Sequence, residues 1–397
     1  MERHLVSFDR RLKDADAFSK ALSRSKNDFV DGVTQLIQEK DGLSSDLVLE
    51  YPAISVVSAV LSDAEVTALR SVSSISSIRK SRKVIGSPLA TAPLKTGWAL
   101  DTIAKPAWHV SLVKADQCWA LSTGKGVKVG IVDSEIDPTL PDLPILDGRS
   151  FHPEAPDWRG TDDFHGTFCA AIVGCRSSHP EMIGIAPECD LYALRIGKDG
   201  QGDVEYIIAA MAWAVEKKLD ILSMSQWDSD GADDPYEPYW DSLNRAAEEC
   251  AKAGCIVVGI SGNSGSLANP WVTNPGRCPQ VIAVGGTRQD DDWWPGSSYG
   301  PDDLAEDQAV EIVAPGMDVL SLAPGGVVLP GRGTSFAAPQ VAGACALLKQ
   351  LRPELSPAQL RHILKSTAKD LGTSGRDAKF GVGRLDCFAA INALASA

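Results

Sequence analysis

The sequence contains no apolar run close to the roughly 20 residues that a membrane-spanning helix needs. It also lacks a basic excess: 38 Lys and Arg stand against 52 Asp and Glu, a formal net charge of −14. Such a chain repels phosphate backbones, so neither nucleic acid nor a membrane is expected as a partner. Paired cysteines are missing too. The nine, at 118, 169, 175, 189, 250, 255, 278, 345 and 387, are odd in number, scattered through apolar stretches, and include no C-x-x-C. A zinc site needs clustered ligands at short spacing, so no metal is expected, and the thiols are read as buried and reduced. The start, Met1-Glu2-Arg3-His4-Leu5-Val6-Ser7-Phe8, is too short and too charged for the apolar stretch of a secretory leader. A soluble, cytoplasmic protein is expected.

What is present is enough for a full core: 397 residues, 44% hydrophobic and 23% charged, about two domains' worth of chain. The charge is uneven. Residues 1–84 carry 13 basic and 12 acidic side chains, whereas the remainder carries 25 basic and 40 acidic. Residues 85–107 are rich in Gly, Pro, Ala, Ser and Thr, the composition of a linker. The expected organisation is therefore a domain at 1–84, a linker at 85–107 and a large domain at 108–397. In the first, short strands at Leu5–Phe8, Leu47–Leu49, Ile54–Leu61 and Ser74–Ile78 surround helical spacing at 14–38. A capping box, Ser62-Asp63-Ala64-Glu65, opens a second helix. This pattern fits a small α+β, ferredoxin-like split βαβ unit.

In the large domain, apolar strand-like runs alternate with helices. The runs are Val127–Val132, Leu191–Ile196, Ile221–Ser225, Cys255–Ile260, Val281–Val284 and Val310–Val313. Helical spacing falls at Tyr206–Lys217, Ser242–Ala253, Ser335–Leu351 and Ser356–Ala368, the last opened by a capping box with Pro357 in its first turn. Continuous apolar strands separated by helices predict an α/β fold, a parallel sheet covered on both faces.

Functional groups of such sheets sit beyond the carboxyl ends of the strands. There the sequence places Asp133, then His165-Gly166-Thr167 at a helix start, Ser261-Gly262-Asn263 after a strand, and Ser335 opening a helix after Gly331-Arg332-Gly333-Thr334. A serine hydroxyl becomes a nucleophile when an imidazole can accept its proton, and the imidazole needs a carboxylate to hold its tautomer. The Ser335 N–H and the Asn263 amide are candidate donors to an oxyanion. The set has the logic of acyl transfer.

These segments resemble the subtilisin-like serine proteases. The resemblance rests on Val129-Gly130-Ile131-Val132-Asp133-Ser134, His165-Gly166-Thr167, Gly262-Asn263 and Gly333-Thr334-Ser335-Phe336-Ala337-Ala338-Pro339, with Gly184-Ile185-Ala186-Pro187 and Ala314-Pro315-Gly316 in support. It spans about residues 106–395, and the order Asp, His, Ser is that of subtilisins. It implies a subtilisin-like parallel sheet and a serine endopeptidase working through an acyl-enzyme. The triad would be Asp133, His165 and Ser335, with Asn263 as oxyanion donor and Gly200, Gly202, Ser225, Gln226 and Trp227 binding substrate. The implied partners are a peptide or protein substrate and the chain's own N-terminal domain, an inhibitory propeptide of a self-processing zymogen, cut between Lys83 and Pro106. The alternative is a catalytically silent or permanently self-inhibited protein on the same fold.

Four features depart from or refine that pattern. Glu135 stands where the family usually has Gly; if the position needs φ > 0 the Asp133 loop is expected to be rearranged, the alternative being an exposed carboxylate facing the cleft. Gln226 and Trp227 replace the usual glycines after Ser225, and an acidic insertion, 227–241, follows them as a solvated loop, a rim attracting basic peptides or a calcium-binding segment. Arg176-Ser177-Ser178-His179-Pro180 replaces an Asn-rich calcium loop, so calcium, with its need for several oxygen ligands, is not carried over and no cofactor is expected. Cys169, one turn after His165, is similar to the cysteine of the proteinase K branch, and is either a small core residue or a thiol packed beneath the histidine.

Overall fold

The computed structural model describes residues 2–8, 48–51, 56–61, 63, 66–67, 75–81, 83–86, 106–176, 182–228, 241–267, 270–300 and 309–395. Two compact units divide the chain, one of Met1–Arg82 with Pro238–Ser242, the other of Lys83–Glu237 with Leu243–Ala397. The first contains four strands, β1 (Glu2–Phe8), β2 (Val48–Tyr51), β3 (Val56–Leu61) and β4 (Ile75–Lys80). They form an antiparallel sheet in the order β2-β3-β1-β4, the strand order of the split βαβ unit expected from sequence. The helix expected over 14–38 lies outside the described residues, as does most of the one opened at Ser62, of which a hydrogen bond from Thr67 Oγ1 to the Asp63 carbonyl remains.

The second unit is built on seven parallel strands: β6 (Lys128–Asp133), β7 (Ile145–Ser150), β8 (Asp190–Arg195), β10 (Ile221–Met224), β12 (Ile256–Ile260), β13 (Val281–Thr287) and β14 (Ile312–Pro315). Their order is β14-β13-β12-β10-β6-β8-β7. The chain leaves β6 to one side through β7 and β8 and returns to the other through β10, so β6 lies at the switch point where an open sheet parts its loops. Strands β10, β12, β13 and β14 are buried along their whole length, as their unbroken apolar runs require. β7, with its mixed sequence ILDGRS and partly exposed residues, is an edge strand that shows no such run.

The helices are α1 (Trp108–Leu112), α2 (His165–Gly174), α3 (Val204–Lys217), α4 (Asp241–Lys252), α5 (Thr334–Leu351), α6 (Pro357–Thr367) and α7 (Cys387–Ala395). α2 is apolar on every side and buried along its whole length, as α5 is from Thr334 to Lys349, and the two pack together in the core. The capping box of α6 forms as expected: the Gln359 N–H donates to Ser356 Oγ at 3.3 Å and the Ser356 N–H to Gln359 Oε1 at 2.9 Å. None of these helices is long and apolar enough to cross a membrane. All nine cysteines are buried free thiols.

The run expected as a strand over Ile221–Ser225 ends at Met224 and is a central strand of the main sheet, bonded to β6 and β12 on its two edges. It is followed by a separate short strand, β11 (Gln226–Asp228). With β5 (Lys83–Gly86) and β9 (Gln201–Asp203) it makes a three-stranded antiparallel sheet ordered β11-β5-β9. Ile85 and Gly86, expected in the linker, are thus strand residues, paired across β11 with Trp227 and Gln226. The rest of that stretch to residue 105, the acidic segment 229–240 and the loop 177–181 fall outside the described residues.

Candidate functional site

The last residue of β6 is Asp133, placed by the sheet at the crevice. One carboxylate oxygen, Oδ1, accepts both the Ser134 N–H and His165 Nδ1, each at 2.7 Å. His165 opens α2, its N–H capped by Asp163 Oδ1 at 2.9 Å. The next residue must be glycine for steric reasons: a Cβ on Gly166 would stand 2.5 Å from the Glu135 carbonyl oxygen. That close approach brings the imidazole down onto the Asp133 turn. With Nδ1 donating to Asp133, the tautomer leaves Nε2 as a lone-pair acceptor, and Nε2 has no hydrogen-bond partner among the described residues. Burial pulls the imidazole pKa down, but the Asp133 carboxylate and the Cys169 side chain beside it outweigh burial and hold it well above the ordinary histidine value.

Ser335 is the second residue of α5. Pro339, four residues on, has no N–H to give the Ser335 carbonyl, which is therefore free of its helical partner. Two side chains take it instead: Ser225 Oγ at 2.9 Å and Cys169 Sγ at 3.4 Å. The same Cys169 Sγ lies 3.9 Å from His165 Nδ1, so a single thiol separates the serine backbone from the imidazole. Of the two readings of Cys169, the thiol beneath the histidine is the one observed; burial pushes its pKa up to about 11, so it stays protonated. Ser335 Oγ donates to the Ser225 carbonyl at 3.3 Å.

Asn263 follows β12. Its Oδ1 accepts the Thr334 N–H at 2.9 Å and Thr334 Oγ1 at 2.8 Å, which turns the amide nitrogen the other way. Gly333, at φ +152°, leaves the space there open: the point a Cβ would occupy is 3.6 Å from both Asn263 Nδ2 and the Ser335 N. The Asn263 amide nitrogen and the Ser335 backbone nitrogen thus both lie near the same point beside the Ser335 side chain.

The cleft next to these groups is lined by Asp133, Ser134, Asp163, His165, Gly200, Gly202 and Gln226, among others. Burial raises the Asp163 carboxyl above the usual carboxylate range. Of the residues expected to bind substrate, Gly202 lies in β9 and Gln226 and Trp227 in β11, with Gly200 (φ +73°) turning the chain into β9. Ser225 instead turns its hydroxyl inward to the Ser335 carbonyl.

The φ of Glu135 is not positive, and its carboxylate, expected as one alternative to be exposed and facing the cleft, is buried instead. The side chain, 2% exposed, folds under the loop ahead of His165: Oε1 accepts the N–H groups of Asp162 and Asp163, each at 3.0 Å, and Oε2 pairs with Arg195 at 2.6 Å. Sequence reasoning also missed Thr334 as the group that orients Asn263. The freed Ser335 carbonyl, by contrast, is signalled by the spacing of Ser335 and Pro339. Among the described residues, the one set of three His, Cys, Asp or Glu side chains able to meet on a metal ion is Asp133, His165 and Cys169, the members of this same cluster.

Comparison with known proteins gives concordant results. The family model described as "Subtilase family" matches residues 124–383. The chain is 32% identical to the alkaline protease of Alkalihalobacillus alcalophilus over 375 residues, 94% of this chain and 88% of that protein. It is 31% identical to alkaline elastase YaB of Bacillus sp. (strain YaB) over 392 residues, 98% of this chain and 91% of the relative. Identity to subtilisin E of Bacillus subtilis (strain 168) is 32% over 254 residues, 64% of this chain and 63% of that one.

Proposed function

The chain belongs to the subtilase family, and from that premise we propose that it is a serine endopeptidase whose nucleophile is Ser335, whose base is His165 and whose orienting carboxylate is Asp133. Ser335 Oγ leaves the Ser225 carbonyl, gives its proton to His165 Nε2 and attacks the scissile carbonyl carbon. The oxygen takes the negative charge between Asn263 Nδ2 and the Ser335 N–H. As the C–N bond breaks, His165 returns the proton to the leaving amine and an acyl-enzyme remains. Water, deprotonated by the same imidazole, then releases the acid and restores Ser335. Asp133 keeps its charge throughout and stabilises the imidazolium. The observation that carries the reading is the 2.7 Å bond between Asp133 and His165 Nδ1, with Nε2 uncommitted and the Cys169 thiol lying between the imidazole and the Ser335 carbonyl.

The same reading makes the chain a zymogen. β5 lies between β9 and β11 in antiparallel register, the way an extended peptide is held by a sheet edge on each side. This supports residues 1–84 as an inhibitory segment whose end occupies the cleft, and self-cleavage between Lys83 and Pro106. Labelling with a fluorophosphonate probe tests the enzyme: the wild-type chain takes the label and Ser335→Ala does not. Label on both, or on neither after removal of the N-terminal segment, overturns the reading. Trimming of Ser335→Ala in the 83–106 window at the wild-type rate overturns self-cleavage alone.

A further inference from the structure

We propose that Glu135 is a positioning residue for His165, working as a buried carboxylate that sets the loop from which the catalytic helix starts. The inference rests on His165 being the general base. The connection runs through six contacts. Glu135 Oε1 gathers two successive backbone N–H groups, those of Asp162 and Asp163, at 3.0 Å each. Asp163 in turn caps the His165 N–H at 2.9 Å. Glu135 Oε2 pairs with Arg195 at 2.6 Å, which answers the buried charge. The guanidinium also donates through Nε to the Gly197 carbonyl at 3.1 Å and through NH1 to the Asp157 carbonyl at 2.9 Å. Gly197 lines the same cleft as His165, and its own N–H donates to the Asp133 carbonyl at 3.3 Å.

The local sequence is built around this carboxylate. A Cβ on residue 160 would stand 2.7 Å from Glu135 Cγ, and Gly160 leaves that room. The loop carries Asp157, Asp162 and Asp163; Arg159 pairs with Asp157 at 3.3 Å, and Arg195 pairs with Glu135. A glycine at position 135 could offer neither the acceptor nor the charge. Because a shift of about 1 Å in a reacting group can cost on the order of 100-fold in rate, loosening this loop falls on the chemical step more than on substrate binding.

The test is a comparison of Glu135→Gln, Arg195→Met and the double variant, read by kcat and KM on a peptide and by the rate of phosphonylation of the full chain, processed as it processes itself. Phosphonylation reports proton transfer from Ser335 to His165 without a peptide leaving group. Each single variant should lose about 10- to 100-fold in kcat and in phosphonylation rate, with KM within about 3-fold of wild type. The amide introduced by Glu135→Gln cannot offer oxygen to both the loop N–H groups and the guanidinium, and Arg195→Met strands a buried carboxylate without its cation. The double variant removes both conflicts and should recover to within about 5-fold of wild type, a coupling of opposite sign to additivity. If a single variant proves insoluble, Arg195→Lys serves: its ammonium can pair with Glu135 but cannot also span Gly197 and Asp157, and a loss of about 3- to 10-fold is expected. Variants that lose thermal stability while each active molecule is phosphonylated at the wild-type rate, or a double variant no better than its singles, overturn the proposal. Wild-type labelling that depends on Ser335 separates that outcome from a failure of the protease reading.

Discussion

Ser225 and Ser335 hold each other by two crossed hydrogen bonds. Ser225 Oγ donates to the Ser335 carbonyl at 2.9 Å, and Ser335 Oγ donates to the Ser225 carbonyl at 3.3 Å. The first bond replaces the helical one that Pro339 cannot make; the second parks the hydroxyl on the segment that leads into β11. Replacing Ser225 by Ala leaves the buried Ser335 carbonyl with the Cys169 thiol as its remaining partner. The expected cost is about 0.5–1.5 kcal/mol of stability, seen as a lower denaturation midpoint at unchanged slope. Adding Cys169→Ala should cost more than the sum of the two single changes, because only then is the carbonyl left unsatisfied.

The pH dependence follows from the sign of the His165 shift. Protonated imidazole cannot accept the serine proton, so activity rises as His165 loses its proton. Its pKa is held above 6.5, and the rising limb of kcat/KM should therefore have its midpoint on the alkaline side of that value. Asp133→Asn removes the charge that opposes burial. The residual activity, lower by about 10⁴-fold as for other triads of this kind, should show its limb displaced to lower pH. A limb that does not move with Asp133 means another group titrates.

Much of this was legible in the sequence, for a physical reason. Asp133, His165, Asn263 and Ser335 sit at the ends of strands and the starts of helices, where short motifs fix backbone direction as well as chemistry. The strand runs of β10, β12 and β13 were legible because a strand buried on both faces must be predominantly apolar. The edge strand β7 has no such constraint, and its ILDGRS sequence concealed it. Glu135 was misread because its effect depends on Arg195, 60 residues away in sequence and joined to it only once β6 and β8 pair. β11 was hidden since a three-residue strand defined by its partner carries no period of its own.

Asn263 presents an amide whose oxygen is already engaged by Thr334. Asn263→Ala removes a donor needed only when the carbonyl oxygen becomes charged. The loss should fall on kcat, by about 10²- to 10³-fold, with KM little changed. Thr334→Val keeps the Asn263 side chain but removes one of the two bonds that Thr334 gives its oxygen, and a smaller loss in the same parameter is expected. A change confined to KM in either variant would place Asn263 in ground-state binding.

The register of β5 makes a prediction about latency. β5 has a strand on each side, Gln201–Asp203 and Gln226–Asp228, so the N–H of each of its residues points to one partner or the other. Ile85→Pro removes one such donor and places a ring where the ladder needs an edge. At about 0.5–1.5 kcal/mol for the bond, with the ring's clash in addition, the segment should hold the cleft roughly tenfold less tightly. The intact chain carrying Ile85→Pro should then hydrolyse a small peptide faster than the intact wild type at the earliest times measured, before any processing. A synthetic peptide copying residues 79–88 should inhibit the processed enzyme competitively, and its Ile85→Pro counterpart about tenfold less well. Substituting Val84 or Ile85 by Ala keeps every N–H in place and should weaken inhibition less than Pro does. Equal inhibition by the Pro and wild-type peptides would mean that the segment is not held by its backbone, and the substrate-like pairing of β5 would have to be abandoned.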